Sequence, residues 1–141
     1  MNHFNWKKSY ETGILEIDKQ HRHLFSIANT FYDVLFSETF NLDNEEMYEI
    51  LDDLKVYSEY HYNYEKKIYP TEIVQRFFII ENMLVERIKE LKKSYNKSDN
   101  IIVLYGFAEF LRKWLLKHII VLNTKDFKNL FKKEVLRLSD N

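Results

Sequence analysis

The sequence predicts an all-α protein: an up-down-up-down four-helix bundle with an N-terminal arm and a short C-terminal helix, in one domain over residues 1–141. Three observations support this fold. The chain has only two glycines and one proline, too few for a turn-rich β architecture. Long segments carry apolar residues at spacings of three and four, as amphipathic helices do. The connections between these segments are short, which favours antiparallel neighbours.

Residues 1–17 are expected to form an extended arm over the domain, and Asp18 is expected to cap the first helix. Pro70 suits the start of the third helix. The expected helix bounds are Asp18–Glu38, Asp43–Lys67, Thr71–Ser94, Ile101–Leu122 and Lys125–Leu138. On the third helix the stripe toward the core is expected to contain Val74, Phe77, Phe78, Glu81, Leu84, Val85, Ile88 and Leu91.

Composition excludes several classes of protein. The net charge is −1 with acidic and basic residues interleaved, so we expect no nucleic-acid partner. No cysteine is present, which excludes disulfides, thiolate metal sites and iron–sulfur clusters. No apolar run is long enough for a membrane span, and the N-terminus lacks the apolar core of a signal peptide. We therefore expect no membrane association and a cytoplasmic location.

Three histidines and a glutamate are the candidate metal ligands. His21, His61 and His118 lie on the inward stripes of three different helices, and Glu65 lies four residues after His61 on the same helix face. A single histidine on an apolar stripe is more often an ordinary core residue. Three such histidines beside a carboxylate favour a metal site, because a buried carboxylate without a partner is costly. Imidazole and carboxylate together suit iron, zinc, manganese or copper.

The chain resembles hemerythrin-domain proteins of the bacterial single-domain kind over nearly its full length. The second-helix pattern fits through His61 and Glu65, Tyr69-Pro70 fits the family's YP, and the fourth-helix pattern fits through Trp114 and His118. The N-terminal pattern is the most specific and comprises Trp6, Tyr10, Gly13, Ile17, Asp18, Gln20 and His21.

The resemblance implies a non-haem di-iron site that binds dioxygen. His21 and His61 match the ligands of one iron, His118 matches a ligand of the other, and Glu65 matches a bridging carboxylate. Three ligand positions depart from the family pattern, because they fall on Phe77, Glu81 and Asn123. The residues that match the apolar gas pocket are Leu24, Trp114, Leu115 and Ile119, with Tyr62 where a phenylalanine is usual.

Three hypotheses follow for the altered site. In the first, two metal ions remain: Glu81 and His118 hold one, His21 and His61 hold the other, and Glu65 bridges them. In the second, only His21, His61 and Glu65 bind, as a two-histidine, one-carboxylate set for one ferrous ion. In the third, the metal is lost and the bundle is an interaction or regulatory module. We expect O2 or a similar small ligand as partner, no enzymatic activity, and an oligomeric state that the sequence leaves open.

Overall fold

The computed structural model describes residues 4–38, 40, 45–97 and 101–123. Within the last two ranges, side chains are described as far as residues 94 and 119, respectively. A short 3-10 turn, Lys8–Tyr10, precedes four helices: α1 Leu15–Leu35, α2 Glu45–Ile68, α3 Thr71–Lys97 and α4 Ile102–Asn123. The described ranges therefore confirm a four-helix bundle. The predicted helix Lys125–Leu138 lies outside them. Within these ranges, no helix combines the length and apolar character needed to cross a bilayer.

The helices run antiparallel to their neighbours. On α1 and α4, the Phe31 and Phe107 rings lie 5.4 Å apart, while His21 near the start of α1 meets His118 near the end of α4. Each helix packs on the next in sequence, and α1 also packs on α4. This arrangement brings the first turns of α1, the last turns of α2 and α4, and the start of α3 to the same end of the bundle.

The core follows helical spacing on every helix. One large cluster fills most of the bundle, and a smaller one formed by Ile17, Tyr69, Ile73 and Phe77 closes the end where α1 begins. The predicted inward position of Phe78 is wrong, because its side chain is 56% exposed. On α3 the buried stripe instead runs through Ile73, Phe77, Ile80, Leu84, Ile88 and Leu91, a spacing that turns residue 78 outward.

Asp18 does not cap α1 as predicted, since the helix begins at Leu15 and its N-cap residue is Ile14. The Asp18 carboxylate lies in the first turn, is 5% exposed, and reaches back to the arm. Its Oδ1 accepts hydrogen bonds from the backbone N–H of Thr12 at 2.8 Å and from the Thr12 hydroxyl at 2.9 Å, and its Oδ2 accepts one from the Gly13 N–H at 3.2 Å. Asp18 therefore fastens the arm to the start of α1.

Aromatic side chains attach the arm farther along α1. The Trp6 and Tyr10 rings contact the Phe25 ring edge-on at 5.3 and 5.7 Å. Phe4 and the Asn29 side chain exchange two hydrogen bonds, at 2.7 and 2.9 Å. These contacts cover α1 on the side that faces away from α2 and α3.

Replacing Asp18 with alanine should lower the free energy of unfolding by about 2–3 kcal/mol, since charge-assisted bonds to backbone N–H groups are lost in a buried setting. Urea unfolding of the metal-free protein measures this change. The exposed Asp53→Asn should stay within about 0.5 kcal/mol of the parent protein. Equal effects of the two variants would contradict the fastening role of Asp18.

The two glycines provide a matched pair. Gly13 has φ +89°, whereas Gly106 lies inside α4, and a Cβ at either position would meet nothing within 4 Å. Gly13→Ala should therefore destabilise the protein by about 1 kcal/mol through backbone strain alone. Gly106→Ala should stabilise it by about 0.5–1 kcal/mol through helix propensity. Thermal unfolding of both variants tests the opposite signs, and equal signs would refute the backbone argument.

Candidate metal centre

Four buried side chains from three helices converge near the end of the bundle where α1 begins. His21 comes from α1, His61 and Glu65 from α2, and His118 from α4; one potential ligand atom from each lies within 4.8 Å of all the others. Their exposed fractions are 1%, 1%, 0% and 5%. These four residues, hereafter the His₃Glu cluster, were all predicted as ligands from the sequence, and the structure brings them together.

The separations within the His₃Glu cluster suit a shared ion. The ring centroids of the three histidines lie 4.7–5.1 Å apart. The Nε2 atom of His118 lies 3.1 Å from the Nε2 atoms of His21 and His61 and 3.1 Å from Oε1 of Glu65. That carboxylate oxygen lies 3.8 Å from His21 Nε2 and contacts His61 Nε2. Atoms bound at ~2.0–2.2 Å to one tetrahedral ion lie ~3.3–3.6 Å apart, which is close to this spacing.

Helix geometry explains how the cluster forms. His61 and Glu65 are four residues apart on α2, so their side chains project from one face. His21 and His118 lie opposite each other because α1 and α4 are antiparallel. The outer nitrogen of His61, Nδ1, lies 2.7 Å from Oε1 of Gln20, which is 1% exposed. Helices α1, α2 and α4 thus contribute both the cluster and its immediate support.

Burial controls the protonation of the cluster. It lowers the pKa of His21 to about 3 and also lowers the pKa of His61, so both rings are neutral near pH 7. Burial alone would raise the pKa of the Glu65 carboxyl, but the imidazoles of His118 and His61 hold that pKa well below its usual range. His21, His61 and Glu65 therefore present two neutral imidazoles and a carboxylate, which is the protonation state that a metal ion requires of such ligands.

Two buried polar atoms of the cluster are unsatisfied among the described residues. Glu65 Oε2 and His21 Nδ1 each lack a hydrogen-bond partner there. A buried carboxylate oxygen without a donor carries a desolvation cost of about 1–3 kcal/mol or more. A cation bound by Glu65 would offset that cost, so the donor set and its unsatisfied oxygen both fit a metal ion.

Apolar side chains enclose the cluster. The His118 ring lies between the Phe77 ring at 5.5 Å and the Trp114 ring at 5.6 Å. Trp114 is held in turn, since its indole N–H donates to the carbonyl of Ile80 at 2.7 Å. The residues predicted to line the apolar pocket are all buried: Leu24, Trp114, Leu115 and Ile119. Aromatic rings therefore pack against His118.

Glu81 does not join the His₃Glu cluster. Its carboxylate accepts a hydrogen bond from the buried Ser58 hydroxyl at 2.9 Å, and burial raises its pKa to about 7. Phe77 is 1% exposed and fills space beside His118. Its side chain has no ligand atom, so this position cannot bind a metal ion. The side chain of Asn123 lies outside the described residues.

Tyr62 is half-buried at the edge of the smaller core cluster. Its ring lies 6.3 Å from that of Phe78, and the Lys66 ammonium group lies 5.1 Å from its centroid. Burial raises its pKa, with the carboxylates of Glu81 and Glu65 adding to the effect. Tyr62 is therefore placed near the cluster but its phenol is not one of the converging atoms.

Ser58 has a role that was not predicted from the sequence, as the hydrogen-bond partner of Glu81. It lies on the inward stripe of α2, with 0% exposure, between Leu54 and His61. Its place on the inward stripe could have indicated this role, because a buried hydroxyl needs a hydrogen-bond partner. Glu81 was the carboxylate expected to face inward from the neighbouring helix α3.

A surface groove between α1 and α2 is separate from the cluster. It has a volume of about 750 Å³ and is lined by residues that include His23, Tyr57 and Tyr60, but by no member of the His₃Glu cluster. The exposed His23 contacts Tyr57, with the ring centroids 4.2 Å apart and the rings tilted by 45°, which agrees with its predicted position off the ligand stripe.

A comparison with known proteins agrees with this geometry. No family model matches the sequence. A curated relative, a bacteriohemerythrin of Clostridium acetobutylicum, is 30% identical over 128 residues, covering 83% of this chain and 93% of the relative. The relationship covers most of the chain, and the structure has a buried cluster of histidines and a carboxylate that could hold a metal. The chain therefore belongs to the hemerythrin family.

Proposed function

We propose that this protein is a non-haem iron protein of hemerythrin type that holds one ion with the His₃Glu cluster and binds or senses O2 or another small diatomic ligand. The observation that carries the proposal is the convergence of three imidazole nitrogens and a carboxylate oxygen in a buried site. Hemerythrin-type metal binding is supported by the relationship to a bacteriohemerythrin. That the centre holds a single ion, and that this ion binds a gas, are further parts of the proposal.

Electrostatics supports a cation at this point. Glu65 is fully buried and negatively charged, and its Oε1 faces the Nε2 atoms of three histidines. Burial disfavours protonation of His21 and His61, so these two rings supply no positive charge to Glu65 near neutral pH. A divalent ion supplies the positive charge and replaces the repulsion between facing lone pairs with bonds to each of them.

The surroundings favour one ion over two. The ring of Phe77 occupies the space beside His118 at a position where the family resemblance expects a ligand. Glu81, the other candidate ligand for a second ion, forms a hydrogen bond with Ser58. His118 consequently points at the same place as His21 and His61. This set has three histidines and one carboxylate, which extends the two-histidine, one-carboxylate hypothesis by one ligand.

The enclosure supports a small ligand. A bound ferrous ion would supply coordination positions that the protein leaves free, where a diatomic molecule can bind. Leu24, Leu115 and Ile119, which match the family's gas pocket, are buried apolar side chains of the main core cluster, as such a pocket requires. We assign the chain a binding role in the cytoplasm rather than a catalytic one.

The alternative is a metal-free bundle that serves as an interaction module. The close packing of Phe77 against His118 favours it, because an aromatic side chain has replaced a ligand at the site. In that case Glu65 would be stabilised only by hydrogen bonds from imidazoles. Iron content distinguishes the two candidates.

Anaerobic reconstitution with Fe²⁺ should load one ion per chain, measured by elemental analysis after desalting. His61→Ala should retain less than about a tenth of that iron, because it removes a ligand and leaves Glu65 without its neighbour on α2. His23→Ala, on the exposed face of α1, should load like the parent protein. Two ions per chain would contradict the single centre, and an iron-free parent protein would favour the interaction module.

Glu81→Gln should stabilise the metal-free protein at neutral pH. Burial raises the pKa of Glu81 from 4.5 to about 7, so its contribution to stability is full below pH 4.5 and is lost as the pH rises through 7. Glutamine does not titrate and can still accept the hydrogen bond from Ser58. We expect a gain of about 1–3 kcal/mol at pH 7.5, after allowance for partial exposure, and little gain at pH 4.5.

Chemical denaturation at the two pH values measures this difference, with the exposed Glu90→Gln as control. A gain for Glu81→Gln that is equal at both pH values would show that burial of the charge is not its cause. Iron loading of the same variant should equal that of the parent protein, since Glu81 is not a ligand of the proposed centre.

A further inference from the structure

We propose that Glu16 and Gln20 form a relay that fixes the proton of His61 on Nδ1 and so turns an unprotonated Nε2 toward the metal centre. Gln20 is then a positioning residue for a ligand, not a ligand itself. This inference rests on the proposed metal site for its function. The relay itself is a property of the metal-free protein.

Two hydrogen bonds build the relay. The Nε2 amide group of Gln20 lies 3.0 Å from Oε1 of Glu16, one turn earlier on α1. The amide Oε1 of Gln20 lies 2.7 Å from Nδ1 of His61 on α2. The chain of contacts thus runs from a half-buried carboxylate, through an amide that is 1% exposed, to a ring that is also 1% exposed.

The chemistry of the three groups gives the relay a direction. An ionised carboxylate only accepts hydrogen bonds, so the Gln20 group that faces Glu16 must be the donating NH₂. The Gln20 group that faces His61 must then be the accepting oxygen. Nδ1 of His61 therefore donates, which means that it carries the proton of the neutral ring. Its Nε2 is left with a lone pair that a cation between His61, Glu65 and His118 would accept. In the metal-free protein the relay has to outweigh the Glu65 carboxylate, which favours a proton on Nε2.

The cluster histidine on α1, His21, shows no such support among the described residues. His21 Nδ1 is buried with no hydrogen-bond partner among the described residues. Of these two rings, His61 is therefore the one whose Nδ1 atom has a described hydrogen-bond partner that can select a tautomer. Outer partners of this kind orient ligand rings, and their removal typically lowers metal affinity about 10–100-fold.

The position of the relay between helices adds to its effect. Glu16 and Gln20 lie on α1 and His61 lies on α2, so the ring orientation depends on the register of two helices next to the centre. The relay therefore links the packing of α1 on α2 to the geometry of the ligand.

The first test uses ¹⁵N NMR of the imidazoles in the metal-free protein at pH 7.5. His61 should give the signals of a ring protonated on Nδ1. Gln20→Met, which preserves length and apolar packing, should convert it to a mixture of tautomers. A ring protonated on Nε2 in the parent protein, or a tautomer unchanged in Gln20→Met, would overturn the relay.

The second test measures Co²⁺ affinity by titration of its visible absorption bands. Gln20→Met should weaken binding about 10–100-fold without changing the number of ions bound. The double variant Glu16→Gln/Gln20→Glu exchanges the two groups; its introduced carboxylate can accept from His61 while its introduced amide donates. This variant should restore the Nδ1 tautomer and at least half of the lost affinity on a logarithmic scale.

Glu11→Gln is the matched control, because Glu11 is an exposed glutamate of the arm whose carboxylate pairs with Arg22, away from the relay. It should leave both readouts unchanged. Affinity in Gln20→Met within twofold of the parent protein would overturn the positioning role. A parent protein that binds no Co²⁺ would refute the metal centre and with it the role of the relay there, whereas the NMR result on metal-free protein still decides the tautomer.

Discussion

The structure depends on one demanding feature, a carboxylate with no solvent exposure inside a helical bundle. Glu65 is 0% exposed, and burial of an ionised carboxylate is among the most costly arrangements in a protein unless it is compensated. Three imidazoles from α1, α2 and α4 surround one of its oxygens. The need to compensate Glu65 thus explains why histidines lie at a place in the core where apolar residues would pack more simply.

The rest of the bundle holds these groups in register. Asp18 fastens the arm at the start of α1, only three residues before His21. Trp114 is anchored to the α3 backbone and stacks on His118. Gln20 connects α1 to His61. Each support acts on a different ligand, so the centre is positioned by side chains that lie one layer outside it rather than by the ligands alone.

Relative to the ligand pattern that the resemblance implies, the changes on α3 are physically consistent with each other. Phe77 cannot bind a metal, and it fills the space beside His118 with an aromatic ring. Glu81 retains a polar group on α3 but is drawn to Ser58, a buried hydroxyl on α2. Together they place an aromatic ring and a hydrogen-bonded carboxyl group at positions where the resemblance implies ligands, which is why we propose a centre with a single ion.

The fold and the four converging residues were predictable because both follow from helical periodicity. The apolar stripes located the helices to within a few residues, and the same spacing placed His21, His61, Glu65 and His118 on inward faces. Other features depended on contacts between distant segments. The sequence could not show that Asp18 would bind the arm instead of capping its helix, or that Phe78 would lie one position outside the buried stripe of α3.

The fate of Glu81 was unpredictable for the same reason. An inward glutamate near a histidine on the next helix suggested a ligand, but its partner is a serine on a third element. The relative axial position of α2 and α3 decides whether Glu81 meets Ser58 or a histidine. Local pattern therefore indicated which residues enter the core, while tertiary packing decided which of them meet.

The central claim is that one ion occupies the point where three imidazoles and Glu65 meet. A crystal structure of the iron-loaded protein, with an anomalous difference map recorded at the iron absorption edge, tests it most directly. We expect one anomalous peak at ~2.0–2.2 Å from the Nε2 atoms of His21, His61 and His118 and from a Glu65 oxygen. Two peaks with Glu81 turned away from Ser58 to bind one of them, or no peak within the bundle, would contradict the account.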